Sequence, residues 1–161
     1  MHLGKLSQLA KDRFPMEPRG IHGPKHWERV YENGMYLAKH SGGIVEVVQA
    51  FAFLHDCCRE TDGADPSHGE RAARFAETIR ETLELADDHF ELLHYACCHH
   101  EKGRVSQDAT VGTCWDSDRL DLGRVGIKPN PRLLSTDRAK RPTVIEWAYS
   151  KSRGQYYKLK E

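Results

Sequence analysis

Residues 44–59 read IVEVVQAFAFLHDCCR, and this stretch decides the fold. Its first eleven residues are apolar on nearly every helical face, which is typical of the central, buried helix of a bundle. Glu46 and Gln49 interrupt the apolar run, which is also too short to span a bilayer. His55 and Asp56 follow at its end, just before the chain turns. The stretch therefore predicts a core helix that carries two ionisable residues into the protein interior.

Helical periodicity also dominates the rest of the chain, and no segment alternates with period two. The sequence therefore predicts an all-α fold, and Ser67 and Glu70 match an S-x-x-E capping box at the start of one helix. Helices are predicted from Pro24 to Gly42-Gly43, at residues 44–58, from Ser67 to about Leu83, from Asp87 or Asp88 to before Gly103, at about 110–122, and after Pro142. Residues 123–135 are expected to form a loop.

The length of 161 residues fits a single domain, and 39% hydrophobic with 30% charged residues is ordinary for a soluble globular protein. We expect one domain over residues 1–161, with its core at about 21–123 and a basic loop and helix, 124–161, packed on it. Formal net charge is zero. Residues 44–123 carry seven Lys/Arg against seventeen Asp/Glu, and residues 124–161 carry ten against three. A basic segment lying on an acidic core is therefore favoured over a nucleic-acid-binding tail.

The N-terminal sequence and the pattern of cysteines favour a cytoplasmic location. The N-terminal stretch MHLGKLSQLAKDRF lacks the apolar segment and cleavage site of a signal peptide, and no membrane partner is expected. The five cysteines include two adjacent pairs but no CxxC spacing. We interpret them as small buried hydrophobic residues in a reducing compartment.

Five ionisable residues interrupt the apolar faces of the predicted helices and point toward the core by periodicity. They are His55, Asp56, His68, His100 and Asp118. A buried His or Asp is costly unless it is paired or ligated. A lone one is most often a hydrogen-bonded core residue or a helix cap, but five of them on four helical segments favour convergence on a cation.

Three of the motifs resemble a known family. His26 in HW-x-R-V, the dipeptide His55-Asp56 and Asp118 in DSDRLD are similar to the H…HD…D signature of the HD-domain superfamily of metal-dependent phosphohydrolases. The similarity covers about residues 21–123. It implies an HD-type helical bundle with a metal site in its core, ligated by these four residues. His22 is a rival first ligand, but His26 is favoured because it lies within the motif and on the helix.

Further residues resemble the subgroup of that family with two metals. His68 in SHGERAA, and His99 and His100 in CCHHEKG, are candidate ligands of a second ion. The resemblance implies two divalent ions, with Fe, Mn, Ni, Co or Zn favoured over Mg. Asp56 is the natural bridge between them, because a carboxylate has two oxygens.

The expected function is hydrolysis of a phosphoester or phosphoanhydride bond in a nucleotide or another small phosphorylated metabolite. Asp56 and Arg59 are the predicted catalytic residues, and the guanidinium of Arg59 suits bidentate binding of a substrate phosphate. Two alternatives remain open, an HD-type di-iron oxygenase-like enzyme and a non-catalytic metal- or nucleotide-binding module. Asp116 is expected at the surface, and Asp121 is expected to orient Arg119 or Arg124.

Overall fold

A computed structural model describes residues 1–155 and 159, and it has a single all-helical body. Over these residues the chain forms eight α-helices and no β-strand. The helices are α1 (Leu3–Arg13), α2 (Pro24–Ser41), α3 (Val45–Leu54), α4 (His68–Thr78), α5 (Arg80–Leu83), α6 (Asp87–His99), α7 (Ala109–Arg119) and α8 (Pro142–Ser152). Short 3-10 turns occupy Leu122–Val125 and Pro131–Leu133. The prediction of an all-α fold is confirmed.

The apolar stretch forms α3, which lies at the centre of the body. It packs against α1, α2, α4, α6 and α7, so it has neighbours on every side. Its buried residues accordingly face all directions, and they are Val47, Val48, Ala50, Phe51, Ala52 and Leu54. None of the described helices combines the length and the apolar character needed to cross a bilayer. Because α3 ends in the interior, the residues that follow it are delivered to the core.

The α2 helix packs against both α3 and α7. Pro24 occupies its first turn, where a missing backbone N–H costs nothing. Gly42 ends it with a φ of 76°, a left-handed conformation that glycine adopts without strain. The helix buries Trp27, Val30 and Leu37 on its inner face. The first turn of α2 is thereby fixed beside the end of α3.

The α4 and α6 helices form a second closely packed pair on the other side of α3. The predicted capping box does not form, because the backbone of Ser67 has φ −111° and ψ 1° and its side chain makes no cap hydrogen bond. Glu70 instead accepts a hydrogen bond from Arg74 at 2.6 Å. The predicted helix is also interrupted at Ile79, after which α5 begins.

Two further elements differ from the sequence prediction. The α1 helix was not predicted; it buries Leu6 and Ala10 and packs against α3. The expected loop at residues 123–135 contains the whole of the 3-10 turn Pro131–Leu133 and most of the turn Leu122–Val125.

The C-terminal part of the body packs around a small apolar cluster of its own. Residues from α2, from the segment after α7 and from α8 contribute to it, and they are Leu37, Leu120, Leu134, Ala139, Val144, Ile145 and Ala148. The α8 helix also packs against the turn at Leu122–Val125. An ion pair of 3.0 Å joins Lys151 of α8 to Glu32 of α2. The α8 helix is therefore attached both to α2 and to the turn that follows α7.

Candidate metal centre

The first group of converging side chains, which we call the first triad, consists of His26, His55 and Asp118. They lie on the first turn of α2, directly after α3, and on the last turn of α7. The Nε2 atom of His26 is 3.1 Å from Nε2 of His55 and 3.3 Å from Oδ1 of Asp118. The Asp118 side chain is 18% exposed, whereas both imidazoles are fully buried. Solvent therefore reaches this triad at Asp118.

The second triad consists of Asp56, His68 and His100, and all three residues are buried. His68 is the first residue of α4, and His100 directly follows α6. The Nε2 atom of His68 lies 2.8 Å from Nε2 of His100 and 3.1 Å from Oδ1 of Asp56. The close packing of α4 against α6 thus brings two imidazoles to one side of the Asp56 carboxylate.

Asp56 faces both triads at once. Its Oδ1 atom belongs to the second triad, and its Oδ2 atom lies 3.6 Å from Nε2 of His26 and 3.7 Å from Nε2 of His55. The two triads are therefore adjacent and share one carboxylate, with one oxygen turned toward each.

The four triad imidazoles all turn Nδ1 away from the centre, toward a hydrogen-bond acceptor. Nδ1 of His26 donates to the carboxylate of Asp121 at 2.7 Å. The other three rings donate from Nδ1 to main-chain carbonyl oxygens: His55 to Phe51 (3.1 Å), His68 to Asp65 (2.5 Å) and His100 to Cys97 (2.7 Å). Because Nδ1 carries the donated proton, a neutral ring keeps its lone pair on Nε2. Each Nε2 is thereby presented to the centre as a metal-ligating atom.

Three buried side-chain oxygens lack any hydrogen-bond partner within the described residues. Besides Oδ1 of Asn33, they are the carboxylate oxygens Oδ1 of Asp56 and Oδ1 of Asp118. A buried polar atom without a partner is costly. One of these carboxylate oxygens lies in each triad, facing two imidazole nitrogens. Imidazole nitrogen with carboxylate oxygen is a donor set suited to first-row divalent metals. The residues present therefore fit one cation in each triad.

The carboxylates of the centre are strongly biased toward the charged form. Burial acts to raise the pKa of Asp56, but His55, His100 and His68 outweigh it and hold that pKa well below its usual range. Burial likewise opposes ionisation of Asp118, and the nearby imidazole of His26 leads the contacts that lower its pKa. Both triads therefore present an anionic oxygen at neutral pH.

The pKa values of the triad histidines are shifted in opposite directions. Burial dominates at His55 and lowers its pKa to about 3, against the attraction of Asp56 and Asp118. Burial also acts to lower the pKa of His26 and His100, but the neighbouring carboxylates outweigh it and raise both values. In the metal-free protein, each triad therefore contains one imidazole that readily holds a proton.

The structure places Arg59 beside the second triad. Its Nη1 atom lies 3.2 Å from Nε2 of His68 and 3.7 Å from Oδ1 of Asp56. Its other nitrogens donate at 3.0 Å to the carbonyl oxygens of Thr61 and Gly63. The guanidinium is thus fixed by its own loop and points its remaining nitrogen at the centre.

His99 is not brought to either triad, which corrects the prediction that it joins His68 and His100. It is exposed, and its ring lies 4.5 Å from that of Tyr95, measured between centroids. Successive helical residues point about 100° apart, and here His100 faces the centre while His99 points outward. His22 also lies outside the triads, where its Nδ1 pairs with Asp62 at 2.8 Å.

Asp121 is a buried residue of the site whose main side-chain partners were not predicted. Its carboxylate binds Nδ1 of His26, and it accepts two further hydrogen bonds from Arg29, at 2.6 and 2.9 Å. Arg119, one expected partner, instead donates to the main chain of residues 103, 104 and 133. Arg124, the other, donates from Nη1 to the Asp121 carbonyl oxygen at 3.2 Å and reaches its carboxylate only at 4.0 Å. The motif HW-x-R-V could have indicated a common partner for His26 and Arg29, since the two residues share a helical face.

Asp116 is fully buried, so the prediction that it lies at the surface is wrong. Its carboxylate accepts hydrogen bonds from the backbone N–H groups of Ser135 and Thr136, both at 2.7 Å, and from the Thr136 hydroxyl at 2.8 Å. Asp116 does point away from Asp118, as periodicity requires. The C-terminal segment covers that side of α7, however, and Asp116 anchors it.

Gly69 allows α4 to approach α6 closely at the second triad. A Cβ atom at this position would press into the carbonyl oxygen of Cys97 and would lie 3.2 Å from both the Cys98 oxygen and Nδ1 of His100. Main-chain atoms cannot move aside as a flexible side chain can. The absence of a Cβ atom at Gly69 therefore helps to position His68 beside His100.

A cavity of about 840 Å³ lies away from the triads, at the other end of α2. It is lined by His40 and Ser41 of α2 and by residues from 105–109 and 131–140, including Arg132. His26 and His40 are fourteen residues apart, which corresponds to about 21 Å along a helix. This cavity is thus separate from the metal centre.

The chain was compared with protein-family models, curated proteins and solved structures, and nothing matched in any of the three comparisons. The geometry of the chain itself shows an all-helical body with two adjacent, buried His/Asp triads that could hold metal ions.

Proposed function

We propose that this protein is a metal-dependent phosphohydrolase of the HD-domain type. It would cleave a phosphoester or phosphoanhydride bond of a nucleotide or another small phosphorylated metabolite. The observation that carries the proposal is the position of Asp56, whose two oxygens face two separate triads. The chain order of the ligands, His26, then His55 and Asp56, then Asp118, also matches the H…HD…D order of that superfamily.

The donor atoms favour transition metals. His26, His55, Asp118 and Oδ2 of Asp56 would hold one ion. His68, His100 and Oδ1 of Asp56 would hold the other. The mixture of imidazole and carboxylate suits Mn, Fe, Co, Ni or Zn, whereas Mg prefers oxygen ligands and retained waters. Such cations, when bound, offset charge on phosphoryl oxygens and activate water for in-line attack.

The chain's own cationic groups would bind the substrate phosphate. Arg59 points one guanidinium nitrogen at the second triad, and its side chain is 11% exposed. Arg124 lies on the other side, with Nη2 3.8 Å from Oδ1 of Asp118. Guanidinium groups bind phosphate through paired hydrogen bonds, and both are held by main-chain carbonyls that limit their movement. The two arginines would therefore orient a phosphoryl group across the centre.

The test begins with elemental analysis of the purified full-length protein. It continues with a phosphate-release screen over nucleotides and other small phosphoesters, with added Mn, Fe, Co, Ni, Zn or Mg. We expect bound transition metal and metal-dependent phosphate release. The His26→Ala variant should lose both, while His40→Ala, an exposed position on the same helix, should behave like the unmodified protein.

Three results would contradict the proposal. A coloured, oxygen-sensitive iron protein that oxidises its substrate would identify an oxygenase-like enzyme instead. Tight nucleotide binding without turnover under any metal would identify a non-catalytic module. A protein that takes up no metal at all would remove the basis of the proposal.

A further inference from the structure

Asp121 holds an unusual position among the groups that surround the triads. It lies in the turn after α7, its side chain is 0% exposed, and its Oδ2 atom is 2.7 Å from Nδ1 of His26. The guanidinium of Arg29 forms an ion pair of 2.6 Å with the same carboxylate. A charged carboxylate is therefore held directly behind one metal-ligating imidazole.

Arg29 fixes this carboxylate in place. It lies one helical turn after His26 on α2, so the two side chains lie on the same face of that helix. Its Nε donates to Oδ1 of Asp121 at 2.6 Å, and its Nη2 donates to Oδ2 at 2.9 Å. Asp121 thus bonds to two residues of one helix, and its orientation toward His26 follows from both.

The other three triad imidazoles have a different environment. Nδ1 of His55, His68 and His100 each donates to a neutral main-chain carbonyl. A carboxylate behind a ligating imidazole makes the ring a more basic ligand and fixes its orientation more strongly than a carbonyl does. In the second triad, the Glu101 carboxylate lies 3.6 Å from Nδ1 of His68, beyond hydrogen-bond distance, and its side chain is 41% exposed. The first triad therefore has a buried, hydrogen-bonded carboxylate support that the second triad lacks.

We infer that Asp121 is a positioning residue that sets the metal affinity of the first triad through His26 and leaves the second triad unaffected. The inference rests on the metal centre of the proposed function. Loss of such a supporting carboxylate typically weakens metal binding about ten- to a hundred-fold. A merely structural role, as a buried partner of Arg29, would lower stability without a selective effect on one triad.

Asp116 provides the matched control. It is equally buried, it lies five residues before Asp121, and it also accepts three hydrogen bonds. Its partners are Ser135 and Thr136 rather than an imidazole. The substitutions Asp121→Asn and Asp116→Asn therefore remove the same charge from comparable environments, and they differ in whether a metal-ligating histidine loses its support.

The experiment measures zinc dissociation constants by chelator competition in the full chain, with one triad disabled at a time. His100→Ala leaves the first triad, and Asp118→Ala leaves the second. We expect Asp121→Asn to weaken zinc binding about ten- to a hundred-fold in the His100→Ala background and less than about twofold in the Asp118→Ala background. Asp116→Asn should leave both constants within about twofold, even where it lowers the melting temperature.

An unchanged zinc constant for Asp121→Asn in the His100→Ala background overturns the inference and leaves the metal centre standing. The same holds if Asp116→Asn weakens binding equally. A parent protein that binds no zinc overturns the proposed function as well, so the two failures are distinguishable.

A second measurement needs no substitution at Asp121, in case that variant fails to fold. Proton NMR of the unmodified protein should show the Nδ1–H of His26 shifted downfield by its carboxylate partner. The signal should persist when zinc binds, because zinc takes Nε2 and leaves Nδ1 protonated. Loss of this proton on zinc binding would show that Asp121 does not support His26 in the loaded protein.

Discussion

The Nε2 atoms of His68 and His100 lie 2.8 Å apart, and the Nδ1 atom of each ring already donates to a main-chain carbonyl. In the neutral state both Nε2 atoms would present lone pairs to each other, an arrangement that needs a cation or a proton between them. His26 and His55 repeat the arrangement at 3.1 Å in the first triad. The core thus contains two pairs of facing acceptors, each beside a carboxylate oxygen.

Asp56 is expected to be required by both triads. Asp56→Asn should abolish binding of both metals and all phosphate release, because it removes the one carboxylate that both triads share. Elemental analysis and circular dichroism together check this, since the variant should remain folded. Asp65→Asn is the control, because Asp65 is buried nearby but pairs with Arg71. Full metal content in Asp56→Asn would show that the triads do not act as a shared centre.

Each triad should still bind its metal when the other triad loses a ligand other than the shared Asp56. We expect two metal ions per chain in the unmodified protein and one in either His100→Ala or Asp118→Ala, since each variant removes a ligand from one triad. Anomalous diffraction at the metal edge should show one peak in each triad. A single peak in the unmodified protein, crystallised with excess metal, would mean that the second triad is a hydrogen-bonded cluster and not a metal site.

Metal affinity should increase with pH. The raised pKa values of His26 and His100 mean that both rings hold protons in the metal-free protein above the ordinary histidine value of about 6.5. Metal binding must displace these protons. The apparent dissociation constant should therefore tighten by up to about tenfold per pH unit for each displaced proton, until pH exceeds the raised pKa values. Calorimetric titration with zinc between pH 6 and 8 measures this slope.

The protonation of His26 and His100 also determines how the stability of the metal-free protein changes with pH. The contribution of His26 and His100 to the metal-free fold is fully present below about pH 6.5 and is lost as pH rises through their raised pKa values. His55, with a pKa of about 3, stays neutral over this range with or without metal, so its effect cancels in the difference. The increase in melting temperature caused by metal should therefore grow from pH 6 to 8. A constant increase would contradict histidine ligation.

Arg59 should contribute to catalysis rather than to metal binding. Arg59→Lys keeps the charge but loses the planar fork, and Arg59→Ala loses both. Because a charge-assisted hydrogen bond contributes about 1.5–3 kcal/mol, we expect kcat/KM to fall about ten- to a hundred-fold in Arg59→Ala. Metal content should be unchanged, and Arg59→Lys should fall between the two proteins. Arg132→Ala, an exposed arginine at the separate cavity, is the control. Unchanged kcat/KM in Arg59→Ala would reduce Arg59 to an anchor of its loop.

Gly69→Ala should affect the second triad without touching a ligand. The new methyl group would displace α4 from the main chain of residues 97 and 98 and so move His68 away from His100. We expect a lower melting temperature, loss of about one metal per chain, and retention of the first triad. Gly4→Ala on α1 is the control, since its nearest neighbour is the His2 side chain at 3.3 Å. Two retained metals in Gly69→Ala would contradict this account of the α4–α6 approach.

The sequence predicted the inward histidines and Asp118 because helical periodicity relates a residue's direction to the apolar residues three and four positions away. His55, His68 and His100 lie on such faces, and the structure buries all three. The same rule separates His99 from His100, since neighbours on a helix point in different directions. The error at His99 came from treating an adjacent pair as one unit.

Other features depended on contacts between distant segments, which periodicity does not report. Asp121 and Arg29 are separated by 92 residues, and their pairing follows from the packing of α2 against α7. Asp116 was expected at the surface because it points about 200° around the helix from Asp118, which faces the core. Only the return of the C-terminal segment across that face buries it.

The two triads draw on different pairs of helices and meet only where α3 ends, at His55 and Asp56. The first triad depends otherwise on α2 and α7, and the second on α4 and α6. The centre is in this sense modular. Changes confined to α4 and α6 could leave a centre able to hold one ion instead of two while its first site stayed intact. Over evolution, the number of bound ions could therefore change more easily than the scaffold that holds them.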